Sequence, residues 1–169
     1  MQIFGPGTIT GFNRGVDFEQ VSNSLVKNVT TTGNFFGFAV NGGFSAGCGA
    51  SCPSTGNLFR GNISTLNNQH GFTMNGATSN VFNANDASSN GAHGFLLFVA
   101  SGNNVQGNTF NNNGQFGVGI TAGSGTGNNL HQNTAQHNGI FDLEDGNPNC
   151  DSNVWNQNTF GTASQPCIQ

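Results

Sequence analysis

The chain has no tyrosine, only three basic residues against seven acidic ones, and 6% charged side chains among its 169 residues. So few cations exclude a nucleic-acid footprint, which needs several Lys or Arg gathered on one face. Low charge with 16 Phe, 34% hydrophobic residues and a net charge of −4 also excludes a disordered chain, and leaves enough apolar material for one core. No apolar run approaches the length of a membrane span. The opening MQIFGPGTITGF has neither a basic n-region nor an apolar h-region, so no signal peptide is expected within this chain. CxxC spacing is missing as well. The four cysteines, Cys48, Cys52, Cys150 and Cys167, therefore favour disulfides and an oxidising, extracellular or cell-surface location. Of the three pairings available, Cys48–Cys52 with Cys150–Cys167 is preferred.

Asparagine is what the chain has in excess. The stretch NNVQGNTFNNNGQFGVGI, residues 103–120, opens with six Asn in eleven residues. Asn favours neither helix nor strand, so a recurring backbone position must explain it. A period supplies one. The pattern N-x-apolar-x-x-N starts at Asn23, Asn57, Asn80, Asn103, Asn128 and Asn153, at spacings of 34, 23, 23, 25 and 25 residues. Ten residues after five of these starts come Gly33, Asn67, Asn90, Asn113 and Asn138. Gly37, Gly71, Gly94 and Gly117 follow in register, each leading an apolar-x-apolar triplet. A degenerate extra coil precedes them, with VDF (16–18) as its triplet.

Each coil reads as three short strands with tight bends between. Leu25, Phe59, Phe82, Val105, Leu130 and Trp155 face inward on the first strand. Thr30, Ser64, Ala87, Phe110, Ala135 and Phe160 do so on the second, and the triplets form the third. One coil of about 23 residues cannot bury its apolar side, whereas stacked coils can. Asn and Gly at the corners are expected to take left-handed backbone and to bond coil to coil. The sequons at Asn28 and Asn62 fall in these corner columns and are expected to be buried. The fold class is thus all-β: a single solenoid domain over 1–169 with six to seven coils, a loop excursion at 42–56 and a disulfide-tied last coil at 150–169.

The register N-x-apolar-x-x-N-x-apolar-x-x-N-x-x-x-G-apolar-x-apolar resembles right-handed parallel β-helix proteins of the pectate-lyase-like superfamily, most of all their Asn-rich, NosD-like branch. That resemblance covers nearly the whole chain. It implies a surface on the outer face of one sheet, where enzymes of the superfamily act on polysaccharides with stacked carboxylates, a calcium site or a Lys/Arg base.

No such site is legible here. Hydrolysis needs two carboxylates, and elimination a base with a cation beside it. Asp17 and Glu19 lie on the first coil, while Asp142, Glu144 and Asp145 lie on the sixth, roughly 20 Å away or more at the strand spacing. The epimerase-type pairing of Tyr with Asp and His has no Tyr to use. No catalytic residue is assigned, and no cofactor is expected beyond Ca²⁺ on Asp142, Glu144 and Asp145, whose plain reading is a solvated turn. The column before the strand-three glycine is more suggestive: Phe36, His70, His93 and Phe116 stack, either as a packing ladder or as a carbohydrate-binding strip. In GFLLFVA (94–100), Phe95 and Leu97 fill the core, so Leu96 and Phe98 face out and call for cover by the 42–56 loop, a subunit or a ligand. A Thr column at Thr109, Thr134 and Thr159 is interrupted by Asp86. The first coil lacks an amphipathic cap and little chain follows the last strand, so the chain is either a piece of a longer solenoid or stacks end to end.

The expected function is a non-enzymatic extracellular solenoid. It would serve as a scaffold or polysaccharide-binding surface, with polysaccharide or further copies of itself as partners, the latter stacked head to tail into filaments. The alternative is a carbohydrate-active lyase, hydrolase or epimerase, whole or in part.

Overall fold

The computed structural model describes residues 1–43, 52–123 and 125–169. In chain order the described residues form β1 Gln2–Ile9, β2 Arg14–Glu19, β3 Leu25–Thr32, β4 Phe36–Asn41, β5 Leu58–Arg60, β6 Ile63–Thr65, β7 Phe72–Asn75, β8 Val81–Asn83, β9 Phe95–Phe98, β10 Asn104–Gln106, β11 Phe116–Ile120, β12 Asn129–His131, β13 Thr134–Ala135, β14 Phe141–Asp145, β15 Val154–Asn156 and β16 Thr159–Phe160. One sheet runs β1-β3-β5-β8-β10-β12-β15 with β6 also on β3; a second runs β2-β4-β7-β9-β11-β14. Every pairing between these strands is parallel. Neighbouring strands are therefore one coil apart in sequence, as the repeat requires, and the chain winds through about seven turns. The expected second strand of each coil is reduced. Between β6 and β13 it survives only as single bridges through Asp86 and Thr109.

The core is a file of stacked rings. Phe59 lies 4.6 Å from Phe82 at 7°, and Phe38 lies 4.6 Å from Phe72 at 18°. That separation is the spacing between paired strands, so identical side chains one coil apart meet face to face. Each such ring, fully buried, contributes roughly 2–3 kcal/mol.

Asparagine ladders close the corners. In each, the Oδ1 of one Asn accepts both the backbone N–H and the Nδ2–H of the Asn one coil earlier, as from Asn57 to Asn80 to Asn103 to Asn128. Two more files run through Asn62, Asn85, Asn108 and Asn133, and through Asn34, Asn67, Asn90 and Asn113. The ladder Asn do not themselves take left-handed backbone. The residue immediately before each one does, whether Ser79, Ala84, Ser89 or Gln132, with φ between 53° and 59°. The strand-three glycines answer a different demand. A Cβ on Gly94 would stand 2.6 Å from the Gly117 carbonyl oxygen, too close for any side chain.

The second coil departs from the expected register by one residue. Val26, Thr31 and Asn34, not Leu25, Thr30 and Gly33, occupy the inward and corner columns: Val26 pairs with Phe59, Thr31 with Ser64, and Asn34 donates to Asn67. The cause is the corner after Asn34, where two residues precede Gly37; three separate Asn67 from Gly71. Consequently Asn23 and Asn28 are exposed residues with φ of 52° and 57°, while Ser24 and Val29 donate into the ladders. Of the two sequon asparagines only Asn62 is buried, at 1% exposure.

Residues after β16 fold back across the last coil. Ala163 bridges Leu143, Ile168 enters the core, and Cys150 and Cys167 are joined by a disulfide. The other expected bridge involves Cys48, which lies outside the described residues; Cys52 is disulfide-bonded, and Gly43 and Cys52 exchange backbone hydrogen bonds at the neck of that excursion. Because the Cys150–Cys167 crosslink spans 17 residues, Cys167→Ser is expected to lower stability by about 3 kcal/mol. Urea denaturation checks this: a midpoint unchanged from the parent would show that the tail holds without its crosslink.

Candidate functional site: a groove on the six-stranded sheet

On β2, β4, β7, β9, β11 and β14 alternation turns every second residue outward, and the parallel register lines these up into columns. The first column is Arg14, Phe36, His70, His93, Phe116 and Phe141. Its rings stack in sequence: Phe36–His70 at 5.4 Å, His70–His93 at 4.7 Å, His93–Phe116 at 4.7 Å and Phe116–Phe141 at 6.4 Å. The middle column is Asp17, Ala39, Thr73, Leu96, Gly119 and Glu144, a floor that is low at Ala39, Thr73 and Gly119. Glu19, Asn41, Asn75 and Phe98 make the far wall. Between the walls lies a groove of about 230 Å³, lined from Arg14 to Phe98. It crosses three strand spacings, roughly 14 Å.

The four expected members of the aromatic strip are therefore together, and Phe141 extends it. That residue was hidden in the sequence because the sixth coil is shortened between Asn138 and its triplet. The two imidazoles are built as neutral rings. His70 Nδ1 accepts the His93 backbone N–H at 3.3 Å, and His93 Nδ1 accepts that of Phe116 at 3.3 Å. A neutral ring that accepts at Nδ1 carries its proton on Nε2. Burial pushes both histidines down to about 4, and in His93 the neighbouring His70 adds to the effect. At neutral pH they are uncharged donors, without a free basic nitrogen at Nδ1.

The carboxylates weighed as a Ca²⁺ set or a solvated turn, Asp142, Glu144 and Asp145, lie in different surroundings. Asp142 accepts from Asn138 through Oδ1 and from Gly161 and Thr162 through Oδ2, and these hydrogen bonds hold it below the usual carboxylate range against the opposing effect of burial. Asp145 accepts from Asn147, Asn153 and Trp155 Nε1. Each thus terminates a ladder by offering its last donors an acceptor. Glu144 alone faces outward, with a buried Oε2 that has no hydrogen-bond partner among the described residues. No group of three metal-ligating side chains occurs among those residues.

At the groove's other end Arg14 is the one cation. Its Nη1 lies 2.8 Å from Asp17 and 3.5 Å from Glu19, and Asn41 also donates to Asp17 at 3.0 Å. The hydrogen bond to Asp17 is the main cause that holds the guanidinium firmly charged. Asp17 and Glu144 sit in the same column five strands apart, about 24 Å. They cannot serve one bond. Leu96 and Phe98 are both groove residues, and Phe98 remains 45% exposed among the described residues.

A family model for the right-handed beta helix region matches residues 7–160. The chain belongs to the right-handed β-helix family. No curated protein sequence matches it significantly. Among solved structures this β-helix resembles the A-module of the mannuronan C-5 epimerase AlgE4 of Azotobacter vinelandii, with a TM-score of 0.76 and 16% identity over 96% of this chain and 47% of that one. The periplasmic alginate epimerase AlgG gives a TM-score of 0.71 and 14% identity, over 92% of this chain and 39% of that one. The AlgE6 A-module, also from Azotobacter vinelandii, gives 0.65 and 18%, over 81% and 34%. At these identities the likeness is one of fold, and this β-helix spans less than half the length of each.

Proposed function

We propose that this β-helix is a non-enzymatic polysaccharide-binding solenoid whose ligand lies in the groove of the six-stranded sheet. The carrying observation is the groove's construction. One wall is a continuous ring stack, the other presents Asn41, Asn75 and the exposed Phe98, and the floor of Ala39 and Thr73 is low enough to admit a sugar ring. Stacked on one another, the wall rings turn apolar edges to the groove and Phe98 adds an exposed ring, apolar surface suited to the apolar faces of pyranose rings, while amides and hydroxyls satisfy their hydroxyl groups. The Cys150–Cys167 disulfide fits a secreted or periplasmic location. The NosD-like likeness is supported only by the Asn-rich repeat itself. Folding the tail over the C-terminal end weighs against head-to-tail filaments.

The enzymatic alternative draws support from the fold of the alginate epimerases. Against it stand the two histidines of the ring column, held neutral with Nδ1 engaged, and outward carboxylates, Asp17 and Glu144, five strands apart on the sheet. Calorimetric titration with a panel of hexasaccharides tests the proposal. Phe98→Ala, which removes an exposed side chain at little cost to folding, is expected to weaken binding about tenfold. Unchanged affinity in that variant would place the ligand elsewhere, and epimerised or unsaturated products after prolonged incubation would make the protein an enzyme.

A further inference from the structure

We infer that the groove is built for an uncharged polysaccharide and selects against polyuronates. This inference rests on the reading of the groove as a polysaccharide site. The charge inventory carries it. The sequence holds three basic residues, Arg14, Lys27 and Arg60, and residues 44–51 add no Lys, Arg, Asp or Glu. Lys27 and Arg60 are paired neighbours on β3 and β5, in the other sheet. Arg14 is thus the only cation the groove face has, and it is already engaged by Asp17 and Glu19.

A polyuronate brings one carboxylate per sugar. Along this groove it would meet one neutralised guanidinium at one end and, past it, side chains without charge, with Glu144 two strands beyond the far end. Each uronate carboxylate would lose water and gain no ion pair, which is unfavourable. The histidines do not change this, because both are neutral donors around pH 7. An uncharged chain needs only what the walls supply: apolar ring surface from Phe36 and Phe98, amides from Asn41 and Asn75, and the hydroxyl of Thr73. The face is thus poorly matched to alginate, the polymer of its epimerase neighbours, although the fold is shared.

The test compares glucose, mannose and xylose hexasaccharides with mannuronate and galacturonate hexamers, at low and at high salt, in EDTA and again with Ca²⁺. At least one neutral hexamer is expected to bind with a salt-independent affinity, and both uronates at least tenfold more weakly. The double variant Asp17→Asn/Glu19→Gln, which releases Arg14, is expected to raise uronate binding about tenfold relative to the neutral ligand. Tight uronate binding in EDTA by the parent protein overturns this inference while leaving the groove reading intact. Uronate binding that appears only with Ca²⁺ overturns it too, and returns Glu144 to the role of a cation ligand. If no oligosaccharide binds and Phe98→Ala has nothing to weaken, the groove reading itself fails and this inference with it.

Discussion

Asn108→Leu is expected to cost about 4 kcal/mol, a large share of the 5–15 kcal/mol that holds a typical domain together. Leucine keeps the branching of asparagine, but its methyl groups are bulkier than an amide oxygen and nitrogen, so overpacking adds to the loss of hydrogen bonds. Asn108 Oδ1 accepts from the backbone N–H and the Nδ2 of Asn85, at 2.8 and 2.9 Å, and its own Nδ2 donates to the Phe82 carbonyl and to Asn133. Leucine at this position strands two donors of Asn85 and one carbonyl away from water, at about 1–3 kcal/mol each. Asn108→Asp is also destabilising at neutral pH, because the carboxylate keeps the acceptor for Asn85 but turns lone pairs toward Phe82 and Asn133. That variant recovers part of its stability when acid protonates it. Chemical denaturation followed by circular dichroism gives both costs. A loss below about 1 kcal/mol for the leucine variant would mean that the coils are held by their Phe stack and that the ladders only follow.

Acidification is expected to destabilise the protein in two steps. His70 and His93 titrate near 4 in the folded chain, against 6.5 for the free side chain. Between those values the unfolded chain binds protons that the folded chain does not, so stability falls with pH through that window. The two rings are stacked and influence each other, so a loss on the order of 2 kcal/mol per histidine is appropriate. Asp142 acts at the lower end. Its folded value is depressed below 3.8, so its contribution is present above that value and is lost only as pH falls further. The double variant His70→Phe/His93→Phe continues the column in the chemistry of Phe36 and Phe116 and should flatten the first step while leaving the second. If the variant keeps the full drop between pH 6.5 and 4, the histidines are not its source.

The fold was legible because a solenoid writes its geometry into the sequence at every coil. Phe59, Phe82, Val105 and Leu130 recur at a fixed offset from Asn57, Asn80, Asn103 and Asn128, and each proves to be buried in its file. What escaped was local. The corner after Asn34 is one residue shorter, and the repeat could be extended past it only by counting from Asn23, which placed Leu25 and Thr30 in columns that Val26 and Thr31 occupy. The left-handed position was also misplaced by one, because Gly, Asn, Ser, Ala and Gln all take it and no single residue type marks it. The aromatic strip was visible from spacing alone. The roles of Asp142 and Asp145 were not, since a run of acidic residues looks the same whether it binds a cation, meets solvent or receives the last amides of two ladders.

Those two aspartates give the molecule a direction. From amide to amide, every rung donates to the Asn one coil toward the C-terminal end and accepts from the one before it, so the internal coils are interchangeable monomer units and Asp142 and Asp145 are chain terminators. A polymer of this kind can change its degree of polymerisation without changing its ends. Duplicating residues 80–102 would insert one more unit between unaltered neighbours and lengthen the groove by a single strand spacing, about 4.8 Å. Over evolutionary time, slippage in the repeats would then set how many sugars the protein spans, while the terminator stays fixed.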